Sequence, residues 1–193
     1  MSGRERMHKK GAEGVDLARL ILESTTWIEL PFDAADNETV CTLERLDGED
    51  KAYDAMGFIL REPKVPLYVE SKNYDVTGNQ GADFSEFLAN AYSITARDLI
   101  RKKVDGRREF MWFTTHPFSL NRWSDLVSPG EIKRALANHP EVLDGEGINL
   151  DVLSIVSDRL WLINVHHKQS ELTLSAEELN RIEALLNRKR RKK

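Results

Sequence analysis

The most informative segment of this chain is Val65-Pro-Leu-Tyr-Val-Glu70-Ser71-Lys72. It is rich in β-branched and aromatic residues, which favour a strand within a sheet. Successive side chains of a strand point to opposite faces, so Glu70 and Lys72 should project together while Ser71 points away. Two residues of strand span about 6.6 Å, close enough for a carboxylate and an ammonium to flank one small ligand. Charges inside an apolar strand are costly unless they have partners or a role.

A second apolar run, residues 53–60, precedes this strand and is joined to it by residues 61–64. If the two runs pair as a hairpin, Asp54 returns towards Glu70. Carboxylate oxygens are the ligands that Mg²⁺ prefers, and a bound divalent cation can polarise a phosphodiester. The pattern therefore predicts a cation-dependent hydrolytic site at this end of the hairpin.

An acid followed two positions later by a lysine occurs four times in the chain. The matches that end at Lys51, Lys64 and Lys133 are predicted to lie in a polar turn, a proline-containing connection and a capped helix start, respectively. Only the match that ends at Lys72 lies in a predicted strand. Context, and not spacing alone, selects it.

Asp54, Glu70 and Lys72 resemble the motif of the restriction-endonuclease-like PD-(D/E)XK nuclease superfamily. In that family one acid lies on a strand, and a second acid and a lysine lie on the next. Tyr53 stands where the motif usually has proline. The order of helix, three strands, helix and strand over about residues 8–118 is also similar to the family's core. The resemblance implies an α/β fold with a central mixed sheet flanked by helices.

The same resemblance implies a Mg²⁺-dependent DNA endonuclease, with Mn²⁺ as an alternative cation. Such an enzyme would act in prokaryotic restriction, phage defence, or DNA repair and recombination. Asp54, Glu70 and Lys72 would be catalytic, and the Ser71 backbone carbonyl would join the two acids as a metal ligand. Glu13 or Asp16 on the first helix could complete the shell. The alternative is a structural Glu–Lys pair on an edge strand.

Other polar residues are candidates for contacts with nucleic acid. A cluster of five cations closes the second predicted helix, where they would also complement the helix C-terminus without any ligand: Arg101, Lys102, Lys103, Arg107 and Arg108. Gln80 and Asn90 could reach a phosphate from the loop and helix that follow the motif. DNA is the expected partner, although the residues do not distinguish it from RNA. A homodimer and a larger defence complex both remain open.

Charge is distributed unevenly between a central domain and its two ends. A basic arm (residues 1–11) and a basic tail (residues 188–193) flank one predicted domain, residues 12–187. Outside residues 1–10 and the tail, the chain carries 18 basic residues against 31 acidic ones. An acidic body disfavours phosphate, so an inactive nuclease-like module that binds nucleic acid or protein is the rival interpretation.

Several features bound the cellular setting. Cys41 is the only cysteine, which excludes an internal disulfide and fits a reducing compartment. The N-terminal residues lack the apolar run of a signal peptide, and no stretch has the 18 or more apolar residues of a membrane span. We expect a cytoplasmic protein that does not enter membranes.

Periodicity and capping residues predict the remaining elements. Helices are expected over residues 12–24, 83–103 and 129–138, and from Ser175 into the basic tail. Strands are expected over residues 25–30, 39–46, 53–60, 65–72, 109–115 and 159–165.

Overall fold

The computed structural model describes residues 3–73 and 78–186. Its strands are β1 (Ile28–Asp33), β2 (Thr42–Glu44), β3 (Asp50–Ala52), β4 (Ala55–Ile59), β5 (Val65–Lys72), β6 (Glu109–Thr114) and β7 (Leu160–Asn164). Its α-helices are α1 (Gly3–Glu23), α2 (Glu38–Cys41), α3 (Gln80–Ala96), α4 (Pro129–Asn138), α5 (Leu150–Ser157) and α6 (Ala176–Leu186). A π-helical segment, Arg97–Lys102, extends α3.

Five strands form one mixed sheet in the order β1-β4-β5-β6-β7, and β2 pairs with β3 in a separate small sheet. The β1/β4 and β4/β5 pairs are antiparallel, whereas β5/β6 and β6/β7 are parallel. A short connection suffices for the β4–β5 hairpin, but parallel neighbours need a crossover, which α3 supplies between β5 and β6. The predicted α/β class with a central mixed sheet flanked by helices is therefore confirmed.

The sheet buries a different helix layer on each face. On one face, Ala18 and Leu22 of α1 pack with Val69 and Phe113. On the other, an aromatic-rich core joins the sheet to α3, α4 and α5; its members include Tyr53, Tyr68, Phe84, Phe87, Trp112, Ile132 and Val156. Since adjacent residues of β5 serve opposite faces, its run is almost wholly buried, as expected for a central strand.

Gly57 allows β1 and β4 to approach closely. The β1/β4 register shifts between Glu29 and Phe32, and a Cβ on Gly57 would lie 1.9 Å from the Glu29 carbonyl oxygen. No side chain fits there, so glycine is required for the bulged pairing.

The chain differs from the predicted elements in several places, among them β1, which begins at Ile28 and not at residue 25. Residues 39–41, predicted as strand, are helical because the amides of Val40 and Cys41 both bond to the Asn37 carbonyl. Helix α3 begins at Gln80 after Asn79, so the predicted N-cap Asp83 lies inside its first turn. Helix α5 was not predicted, although Asn149 caps it by accepting bonds from the amides of residues 151 and 152.

Of the two predicted basic ends, the structure describes most of the N-terminal arm and none of the tail. Backbone of the N-terminal arm belongs to α1 from Gly3 onwards, whereas the basic tail at 188–193 lies outside the described residues. The predicted cap of the last helix is present, because Ser175 and Glu178 bond to each other. Within the described ranges, no helix is both long and apolar enough to cross a membrane.

Candidate functional site

Glu70 and Lys72 project from β5 towards the α3 side of the sheet. Lys72 Nζ lies 2.9 Å from Glu70 Oε1, which confirms that the two side chains share a face. Glu70 is paired in register with Trp112 of β6, and the Lys72 ammonium lies 5.7 Å from the centre of the Trp112 ring. Glu70 is only 7% exposed, so its charge is held inside the protein by its cationic neighbours.

Asp54 reaches the same end of β5 across the hairpin. Its Oδ2 accepts a 2.7 Å hydrogen bond from the backbone N–H of Ser71. The predicted hairpin is present, with Ala55 opposite Val69 and Ile59 opposite Val65. The expected return of Asp54 towards the Glu70–Lys72 segment is therefore confirmed.

Strand register explains why a carboxylate binds this amide. Continued pairing would place Tyr53 opposite Ser71, where the Tyr53 carbonyl would accept the Ser71 N–H. Instead, the Tyr53 N–H donates to the Cys41 carbonyl at 2.9 Å, and the chain leaves the sheet. Asp54 Oδ2 takes the place of the missing carbonyl. The Ser71 carbonyl, which points to the same edge as its N–H, lacks the Tyr53 amide as its partner.

A second lysine, Lys51, joins the site. Its Nζ lies 3.1 Å from Glu70 Oε2 and 5.5 Å from the centre of the Tyr53 ring. The sequence predicted a polar turn at this position, but Lys51 is the central residue of β3. A three-residue strand is too short to show alternation, so no periodic signal could have revealed it.

Burial sets the electrostatics of Asp54. Desolvation, and after it the charge of the neighbouring Glu70, raises the pKa of Asp54 from 3.8 to about 6. The hydrogen bond from the Ser71 amide and the charges of Lys72 and Lys51 oppose this rise. Asp54 therefore changes charge close to neutral pH, in the range in which a carboxyl group can exchange protons with a reactant.

Several polar atoms around Glu70 are buried without a hydrogen-bond partner among the described residues. They are the Tyr53 hydroxyl, Glu70 Oε2 and Trp112 Nε1; Ser71 Oγ, which also has no such partner, lies on the opposite face of the sheet beside Gly14. Glu70 Oε2 forms an ion pair with Lys51 that lacks hydrogen-bond geometry. Buried groups of this kind are usually satisfied by ordered water or by a ligand.

The two acids predicted on the first helix lie on its exposed surface. Gly14 packs directly against β5, because a Cβ there would lie 3.0 Å from Ser71 Oγ. Glu13, its neighbour, is exposed, and the Asp16 side chain is 76% exposed and lies 3.9 Å from Arg19. The helix thus passes beside the site, while these two carboxylates are solvated.

Gln80 and Asn90 are both buried in α3. The Gln80 amide donates to the His116 carbonyl at 2.7 Å and accepts from the Thr114 hydroxyl at 2.5 Å. Asn90 Oδ1 accepts from Arg45 at 3.1 Å. Neither side chain is at the surface where a phosphate could meet it, so a direct contact would require these bonds to break.

The predicted basic cluster lies at the opposite end of the sheet strands from Lys72. Its last member directly precedes Glu109, the first residue of β6, whereas Lys72 pairs with Thr114, the last. Five residues of strand separate these ends by about 16 Å.

Acidic partners occupy much of that cluster. Arg101 lies 2.6 Å from Asp144, Lys102 lies 3.3 Å from Asp98, and Arg108 also pairs with Asp98. The Arg107 amide bonds to Asp105 at 2.8 Å, and Lys103 ends the π-helical segment in a left-handed conformation. These contacts favour a structural role at the end of the helix.

The donor set at the hairpin fits a hard divalent cation. Asp54, Glu70 and the Ser71 carbonyl offer oxygen ligands, and Mg²⁺ commonly takes one or two carboxylates and keeps several waters. No cluster of three or more His, Cys, Asp or Glu side chains suited to a metal occurs in residues 3–73 and 78–186. The carbonyl and water would have to supply what a third carboxylate supplies elsewhere.

No protein-family model, curated protein or solved structure matches this chain. The convergence of two carboxylates and two lysines at the end of the β4–β5 hairpin is thus the main indication of chemistry.

Proposed function

We propose that this protein is a Mg²⁺-dependent endonuclease that hydrolyses phosphodiester bonds in DNA, with Mn²⁺ able to replace Mg²⁺. The observation that carries the proposal is the meeting of Asp54, Glu70 and Lys72 at one end of the hairpin. The order of α1, three antiparallel strands, α3 and a parallel strand supports a restriction-endonuclease-like core.

Each side chain has a role that follows from its position. Asp54, Glu70 and the Ser71 carbonyl would hold the cation, which supplies a polarised phosphate and a more acidic water. Lys72, 2.9 Å from Glu70, would orient that water and offset the charge that develops on phosphorus-bound oxygens. Burial beside Trp112 keeps bulk water from screening these charges.

A cleavage assay on supercoiled plasmid, with Mg²⁺ or Mn²⁺, tests the proposal. We expect Asp54→Asn, Glu70→Gln and Lys72→Met each to lower the cleavage rate by about a hundredfold or more. The matched control is the Glu29–Lys64 ion pair, which has a similar 3.1 Å separation away from the site. Glu29→Gln and Lys64→Met should cleave at the parental rate. Site variants that cleave as fast as the parent would refute the proposal.

Two observations favour a second function, a nuclease-like module that binds nucleic acid without cutting it. Both oxygens of Glu70 lie close to lysine ammonium groups, and the body of the chain is acidic. In that case DNA binding should persist while no variant or cation gives cleavage. Removal of residues 188–193 should then flatten the salt dependence of binding. If no DNA is retained at low salt, a protein-interaction module is the better description.

A further inference from the structure

Lys51 belongs to the small two-stranded sheet, whereas Glu70 and Lys72 belong to the five-stranded sheet. It lies on β3, and the β2–β3 hairpin is fastened to α3: the Leu46 amide donates to Ser93 Oγ at 2.9 Å, and Arg45 bonds to Asn90. The small sheet thus places the Lys51 ammonium beside Glu70, which already pairs with Lys72.

The two lysines contact different oxygens of Glu70. Lys72 Nζ lies 2.9 Å from Oε1, and Lys51 Nζ lies 3.1 Å from Oε2, which has no hydrogen-bond partner among the described residues. Oε2 is therefore the oxygen of Glu70 that can accept a new ligand without the loss of a hydrogen bond. The side chains of Lys51 and Lys72 are 21% and 26% exposed, so each ammonium has a route into water and exposure does not distinguish them.

Charge balance links these facts to cation binding. Asp54 and Glu70 carry two negative charges when ionised, and Lys51 and Lys72 carry two positive ones. A divalent cation on Oε2 would bring its charge next to the Lys51 ammonium, and the repulsion at this short range is large in a buried site. One of the two cations must move, and Lys51 is the lysine that faces the oxygen without a hydrogen-bond partner.

We propose that Lys51 is a displaceable counter-cation that occupies Glu70 Oε2 until a divalent cation takes its place, so that it sets the cation affinity of the site. This inference rests on the proposed function, because it assumes that Glu70 is a metal ligand. Lys51 acts here as a positioning residue for Glu70 and as a competitor of the metal.

The test is to titrate the full-length, metal-free protein with Mn²⁺ and to measure its Mn²⁺ affinity by calorimetry and from the electron paramagnetic resonance signal of free Mn²⁺. We expect Lys51→Met and Lys51→Gln to bind Mn²⁺ at least tenfold more tightly than the parent. Lys51→Arg, which keeps the charge, should stay within about threefold of the parent. Lys64→Met removes an equal charge from the distant Glu29 pair and should leave the affinity unchanged. Circular dichroism verifies that each variant is folded.

Other outcomes separate this inference from the proposed nuclease activity. If both charge-removing variants bind Mn²⁺ as the parent does, or more weakly, Lys51 is not a competitor and the inference is overturned. If neither they nor the parent bind Mn²⁺, the metal site and the inference fail together. If affinity rises tenfold but no variant cleaves DNA, the inference is supported and only the endonuclease proposal is rejected.

Discussion

Asp54→Asn should make this protein more stable at neutral and alkaline pH. The amide oxygen of asparagine can still accept the Ser71 N–H, which Asp54 binds at 2.7 Å, so the sheet edge is preserved. What disappears is a buried negative charge beside Glu70. The substitution therefore isolates the free energy of ionising residue 54 inside the fold.

The magnitude follows from the pKa of Asp54, which is raised from 3.8 to about 6. A carboxyl whose pKa is raised by folding binds its proton more tightly in the native state, so stability falls as pH rises through the interval between the two values. At 1.36 kcal/mol per pKa unit, ionised Asp54 lowers the free energy of unfolding by about 3 kcal/mol at pH 8. About half of that difference should remain at pH 5, and none well below pH 3.8.

Urea unfolding, followed by tryptophan fluorescence with a chelator present, measures this difference between parent and variant. Asp33→Asn is a control of opposite sign. The Asp36 amide and Arg19 hold the pKa of Asp33 below its usual value, so that variant should lose stability at neutral pH and recover relative to the parent as the pH falls. A gap for Asp54→Asn that is absent at pH 8, or does not shrink towards acid pH, would contradict the reasoning.

Three further substitutions test other features by the same urea assay. Gly57→Ala should lower stability by more than about 3 kcal/mol, because a Cβ would meet the Glu29 carbonyl oxygen at 1.9 Å; an unchanged midpoint would disprove the close approach of β1 and β4. Asp98→Ala should cost about 2 kcal/mol, since it leaves Arg108 and Lys102 without their shared, buried carboxylate; a change below 0.5 kcal/mol would place that pair among weak surface contacts. Tyr53→Phe should raise stability by about 1 kcal/mol because it removes a buried hydroxyl that has no hydrogen-bond partner among the described residues, and a loss of stability would show that the hydroxyl is satisfied after all.

Local patterns were enough to predict the hairpin and the orientation of its charges. The apolar runs around Tyr53 and Val65, the short polar connection and the two-residue period of a strand together place Asp54, Glu70 and Lys72 at one end of a sheet. Each of these patterns depends on residues that are close in sequence or are joined by the single connection of the hairpin. The α/β class was expected from the resemblance to the PD-(D/E)XK nucleases, whose core has a similar order of helices and strands.

Tertiary packing decides the features that the sequence did not reveal. Lys51 contacts Glu70 because the β2–β3 hairpin packs on α3. A three-residue strand has no sequence pattern from which that packing could be predicted. Helix α3 is buried on nearly all sides, so Gln80 and Asn90 bond inside the protein although their residue types suggest surface contacts. Asn37 starts a helical turn in a segment whose β-branched residues favour a strand.

Asp54 also bears on how sequence change at this site should be interpreted. Its carboxylate completes the hydrogen bonding of a sheet edge, and the side-chain oxygen of asparagine can accept the same bond. Replacement of one oxygen by an NH₂ group would therefore give a folded and more stable protein without the carboxylate that the proposed function assigns to the cation. Thermal stability alone cannot tell an active form from an inactive one here, and selection for stability alone would favour asparagine. A chain that keeps aspartate at position 54 is less stable at neutral pH, and the reason to keep it is the negative charge that the carboxylate supplies to the site.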